Sequence, residues 1–179
     1  MQDDERRRCL AYLEEEFKIA AFDLKAREAF ENAMVQSATK LNASQINSQE
    51  FQKEISQAVS RLDVAAKETV RRRDKMTRVP NIALATYSAW HRMYLAYSAW
   101  TAVKTAQEAK SARVSIPIVS KNEIDRTIKL FQEYEKCKIE AAKGHHKLLK
   151  RLKLSDEETQ ELFNNALAAI EAENWQPKS

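Results

Sequence analysis

The stretch NASQINSQEFQKEISQAVSRLDVAAKETV, residues 42–70, decides the fold. It opens on a short polar loop, Asn42-Ala43-Ser44-Gln45. Asn47 then stands three residues before Glu50, with Ile46 and Phe51 on either side. This is a capping box with a hydrophobic staple: the cap side chain satisfies free backbone N–H groups, and the staple sets the chain's entry angle. Behind it Phe51, Ile55, Ala58, Leu62, Ala65 and Thr69 alternate steps of four and three, the spacing of one helical face. The pattern predicts a helix over 47–77. Pro80 ends or kinks it, because proline lacks an N–H and disfavours helix in the residue before it.

The same reading extends in both directions. Upstream, Leu10, Leu13, Phe17, Ala20 and Leu24 share a face, continued by Phe30, Met34, Ala38 and Leu41, so a helix is expected over 3–41. Downstream, a third helix is expected over 80–113. A loop at Ser115-Ile116-Pro117 follows, then a second staple, Val119 and Ile124, around a second box, Ser120 and Glu123. The fourth helix, 120–152, carries Ile124, Ile128 and Phe131 on one face, joined by Leu130, Tyr134, Cys137 and Ala141 as the stripe drifts. Gly144 should weaken it by about 1 kcal/mol relative to alanine. A third box, Ser155 and Glu158, starts a short helix over 155–174 with Leu162, Phe163, Ala166, Leu167 and Ile170.

Composition agrees. The 179 residues include one glycine and three prolines, too few for the many turns of a sheet protein. An apolar fraction of 44% argues against wholesale disorder, and the length suits a single domain spanning 1–179. The fold class expected is all-α: an antiparallel, up-down-up-down bundle of four long helices with a short fifth at the C-terminus. Segments of 25–38 residues give rods of about 40–55 Å, and short connections make neighbours antiparallel.

The third helix differs in kind, since between Ile82 and Val103 only His91 and Arg92 can carry charge. Arg92 near its centre would cost about 2.5–3.5 kcal/mol in a bilayer, so no transmembrane segment is expected and a buried bundle helix is the simpler reading. Tyr87-Ser88-Ala89-Trp90 recurs as Tyr97-Ser98-Ala99-Trp100, but ten residues rotate the copy by about 80°, so the two tryptophans meet different neighbours. Tyr87, Trp90, His91, Tyr94 and Tyr97 form a candidate face for a flat or apolar ligand. Aromatics at helical spacing are more often plain core.

The net charge of +4 combines 30 basic with 26 acidic residues, which is not the balance of a dedicated nucleic-acid binder. Cations nevertheless collect at helix ends that a bundle brings together. Arg71, Arg72, Arg73 and Arg78 close the second helix; Lys143, Lys147, Lys150 and Arg151 close the fourth. Two readings apply. Such cations complement helix macrodipoles, and the acidic last helix can fold back to neutralise them; or they form a contact surface for an acidic partner.

Catalytic and metal chemistry lack their motifs. Three positions before the histidines stand Ser88, Ala142 and Lys143, so the Glu-x-x-His ligands of di-iron bundles are missing. There is no Cys-x-x-Cys-His for haem, no clustered Cys and His for zinc, no Gly-x-Ser-x-Gly and no phosphate loop. Cys137 lies about 12 Å in helical rise from His145, beyond direct hydrogen bonding. No cofactor and no enzymatic activity are expected. The preferred function is macromolecular binding, as adaptor, scaffold or assembly component, with a protein partner favoured and an acidic one open. A nucleic acid or an anionic membrane surface is more weakly indicated, and self-association is open. The alternative is small-ligand binding on the third helix.

Cys9 and Cys137 fall at bundle ends that coincide, so a disulfide is geometrically plausible; it would imply a periplasmic or secreted protein. Two buried free thiols, with the cytoplasm as home, are the simpler reading, in keeping with an acidic start, Met1-Gln2-Asp3-Asp4, that lacks a hydrophobic run.

Overall fold

The structure, a computed structural model, describes residues 1–111 and 119–177. Among these residues it contains five α-helices and no strand: α1 Asp3–Asn42, α2 Ser48–Asp74, α3 Leu84–Ser111, α4 Lys121–Leu152 and α5 Asp156–Glu173. The predicted end of the third helix at Arg113 and the loop at Ser115-Ile116-Pro117 lie outside the described residues.

All three capping boxes form. Glu50 N donates to Asn47 Oδ1 at 2.9 Å while Asn47 N donates to Glu50 Oε2 at 2.9 Å. Ser120 with Glu123 and Ser155 with Glu158 repeat the reciprocal pair. Each cap satisfies N–H groups that the first helical turn leaves without partners. The second helix closes earlier than expected, at Asp74, and an irregular link that contains Pro80 leads to a 3-10 turn, Asn81–Ala83, ahead of α3. Met76 and Val79 of that link pack against the core, which ties it down.

α1 packs against α2 and α5, α2 against α3, and α3 against α4, while α1 and α4 touch little. Near one end, Cys9, Tyr12 and Leu13 of α1 cluster with Ala83 and with Leu148 and Leu152 of α4. Near the other, Ser37 Oγ and Lys40 Nζ of α1 donate to Glu54 of α2 at 2.5 and 2.9 Å. Lys110 of α3 pairs with Glu123 of α4 there. α5 lies on α1 and α2, where Leu162, Phe163, Ala166 and Ile170 meet Phe17, Ala21, Phe22 and Ala65.

The single-stripe reading of α1 needs correction. Leu24 is exposed, whereas Cys9, Tyr12, Glu16, Ile19, Phe22 and Asp23 are buried. A helix held between α2 on one side and α5 on the other buries two faces, so one apolar stripe does not describe it. α4 departs in the opposite sense. Its second half is buried through Tyr134, Cys137, Ala141, Leu148 and Leu152, but Ile124, Ile128 and Phe131 stand 47%, 48% and 51% exposed. Among the described residues no helix is long and apolar enough to cross a membrane. Arg92, which argued against a span, is exposed and pairs with Glu140 at 2.8 Å.

Candidate interaction site

The eight cations singled out from the sequence do not act together. Arg73 is fully buried: it pairs with Glu16 of α1, donates from Nη2 to the Tyr87 carbonyl at 2.8 Å, and lies 4.6 Å from the Tyr87 ring centroid. No partner can reach it, so its place among contact residues is corrected. Arg71 and Arg72 both grip Glu68, at 2.6 and 3.0 Å. Arg72 also reaches Glu173 of α5 at 2.7 Å and lies over Phe22. The fold-back of the acidic last helix thus neutralises α2 and, through Glu171 and Lys25 at 2.8 Å, α1.

It does not reach α4. Lys143, Lys147, Lys150 and Arg151 are exposed, and no ion pair holds them among the described residues. They line a groove of about 690 Å³ between the start of α3 and the end of α4, with Ile82, Ala85, Ala89 and Leu148 as apolar floor. The groove carries five cations, counting Arg92, and one carboxylate, Glu140, which Arg92 already holds. Arg78, also exposed, lies apart in a mixed-charge cleft between the start of α1 and the α2–α3 link.

Gly144 explains the floor's shape. A Cβ built on it would fall 2.7 Å from Thr86 Oγ1 and 3.4 Å from Thr86 Cα, so any side chain here would have to displace the Thr86 hydroxyl. The weak point read from the sequence is a point of close contact between α3 and α4.

The aromatic face of α3 is largely absorbed into the interior. Tyr94 and Tyr97 are buried; Tyr87 stacks on His91 with ring centroids at 5.8 Å, and Trp90 stacks on Tyr94 at 5.9 Å. His145 of α4 sits edge-on to Phe17 and Trp90, at 5.4 and 6.3 Å; burial, followed by neighbouring His146, lowers its pKa. Burial and the charge of Asp23 push the Tyr94 phenol well above its usual value, so it stays neutral. Tyr97 is the member of the face that also lines an open recess, with Trp100, Phe131 and Tyr134.

Cys9 and Cys137 are both buried and free. The assumed register fails because Cys9 clusters with Leu148 and Leu152, whereas Cys137 packs among Met93, Tyr94 and Tyr97. Leu148 alone lies about 16 Å in helical rise beyond Cys137.

Compared with known proteins, the chain matches no protein-family model, no curated protein and no solved structure. Its chemistry is therefore read from its own residues. What the sequence missed was the sorting of cations into paired and unpaired ones. The signal for half of it was present: Glu68 lies three and four residues before Arg71 and Arg72, within helical pairing distance.

Proposed function

We propose that this protein is a non-enzymatic helical protein that works by binding an acidic macromolecular partner in the groove between the start of α3 and the end of α4. The observation that carries the reading is the charge count of that groove, five cations against one carboxylate already in use. A cleft of one sign on a low-dielectric wall concentrates the opposite charge and speeds its capture. The reading takes the four long helices as an up-down-up-down bundle. The shared cluster of α1 and α2–α3 link residues with the end of α4 supports that arrangement. Lys153, exposed just past the end of α4, would extend the positive field.

An acidic protein segment fits better than a nucleic acid. The groove's floor is aliphatic and its lining includes no aromatic ring on which a base would stack. An amphipathic acidic helix would set its apolar face on Ile82 and Ala85, the apolar lining residues that keep exposed surface, and its carboxylates against the lysines.

The test is fluorescence anisotropy with a labelled acidic amphipathic peptide and a labelled single-stranded oligonucleotide of equal charge. The expected result is peptide binding that weakens as salt rises and is lost when Lys147, Lys150 and Arg151 are all changed to Glu, in a variant with unchanged circular dichroism. Binding indifferent to salt and to the reversal overturns the proposal. Tighter binding of the oligonucleotide replaces the partner class.

A further inference from the structure

A second feature stands apart from the basic groove. Where α1 and α4 part company, a recess of about 220 Å³ opens between α1, α3 and α4, with Leu62 of α2 also in its mainly apolar lining. Four aromatic rings line it in a continuous chain. On α3, Tyr97 and Trp100 stack with centroids 6.0 Å apart and planes within 20°. On α4, Phe131 and Tyr134 lie 6.3 Å apart, and Tyr97 meets Tyr134 across the helices at 5.6 Å. Phe30 of α1 closes one side.

One cation reaches into this aromatic setting. Arg27 of α1 lies over Tyr97, 4.0 Å from the ring centroid, and 5.6 Å from that of Tyr134. Its Nε donates to Asp23 Oδ2 at 2.8 Å. That uses one of five guanidinium N–H groups. The Nη groups donate no hydrogen bond among the described residues, and the side chain keeps 30% of its surface exposed. A planar fork with its outer edge free, beside a stack of rings, matches a carboxylate attached to a flat ring. Glu31, exposed one turn further along α1, makes the rim negative and disfavours a second negative charge on the ligand. The volume is below the roughly 300 Å³ at which drug-sized pockets begin, which limits the occupant to one or two rings.

We infer that this recess binds a small aromatic monocarboxylate, its ring against Trp100 and Phe131 and its carboxylate on the Nη edge of Arg27. The ring displaces water from surfaces that α4 leaves uncovered, Phe131 among them at 51% exposure. The carboxylate shares the guanidinium with Asp23, so the affinity is modest, with a dissociation constant of about 0.1–1 mM for a single-ring acid. The site is independent of the basic groove.

The experiment is isothermal titration of the full chain with 3-phenylpropionate and with 3-phenylpropionamide, the neutral analogue of the same shape. The expected result is saturable one-to-one binding of the acid and at least tenfold weaker binding of the amide. Phe131→Ala removes a half-exposed ring, so the fold persists, and should weaken the acid at least tenfold. Arg27→Lys should do the same, because an ammonium lacks the planar fork. The variant reversed at Lys147, Lys150 and Arg151 should bind the acid as the parent does, so failure here and failure of the groove are separable. No saturation up to about 10 mM, equal affinity for acid and amide, or indifference to Phe131→Ala overturns the inference.

Discussion

Arg73 on α2 and Glu16 on α1 form an ion pair inside the protein, with no exposed surface on the arginine side chain and 6% on the glutamate. Tyr12 Oη donates to the other Glu16 oxygen at 2.7 Å, and the Tyr87 carbonyl accepts from Arg73 at 2.8 Å. The pair therefore joins α1, α2 and α3 through one guanidinium. Removing one partner strands a buried charge, a loss of about 3–5 kcal/mol, whereas replacing both with apolar groups of similar volume is often near neutral. Glu16→Leu alone should thus lower stability steeply, and adding Arg73→Met should recover most of the loss. Urea denaturation of the four proteins of this cycle measures the coupling; additive losses would mean the pair does not hold the helices together.

Gly144 invites an inverted expectation. In an exposed helix, Gly→Ala gains about 1 kcal/mol. Here the new methyl would sit 2.7 Å from Thr86 Oγ1, so Gly144→Ala should destabilise. Thr86→Ala removes that oxygen, and in its background Gly144→Ala should stabilise instead. Thermal melts of both pairs read the change of sign. Stabilisation in both backgrounds would show that α3 and α4 do not approach closely at this point.

His145 makes stability depend on pH. Burial, with help from His146, lowers its folded pKa below 6.5. As pH falls, the unfolded chain takes up the proton first, so the stabilising contribution is complete above pH 6.5 and is lost as pH falls from there toward the folded pKa. The denaturation midpoint should drop on acidification from about pH 7 to 5.5. His145→Phe, which keeps an aromatic ring beside Phe17 and Trp90, should flatten that slope. An unchanged slope in the variant would assign the dependence to other groups.

The thiols can be read directly. Burial raises the pKa of Cys9 and, with a hydrogen bond to Glu133, that of Cys137. Since the thiolate is the nucleophile, neither should react with iodoacetamide in the native protein, and both should react once it is unfolded. Mass spectrometry counts the adducts. A denatured, unreduced chain that takes up none would indicate that the cysteines are joined.

Much of the local structure could be read directly. Asn47, Ser120 and Ser155 each cap a helix with the glutamate three residues on, because both partners of a capping box lie within one turn. The candidate sites were harder to read. Arg71, Arg72 and Arg73 look alike in sequence, yet Arg73 points inward to Glu16, a carboxylate 57 positions away. Lys147 and Lys150 look like other helix-terminal cations, but the carboxylates of α5 pair with Lys25 and Arg72 instead of with them. The aromatic recess draws on Arg27, Tyr97 and Tyr134, residues that no local pattern relates.

By itself the sequence determined that the chain is helical, with the starts of four helices marked by Asn47, Pro80, Ser120 and Ser155 and the first read from its apolar spacing. Those features rest on backbone hydrogen bonds and side-chain contacts between residues three or four apart. Only the tertiary structure decided that Glu16, Asp23 and Arg73 are buried while Ile124, Ile128 and Phe131 are exposed. Burial belongs to the neighbour as much as to the residue. α5 packs on α1 and reaches α2 through Ala65 and Arg72, so the second face of α1 is covered, while Ile124, Ile128 and Phe131 on the first half of α4 stay exposed.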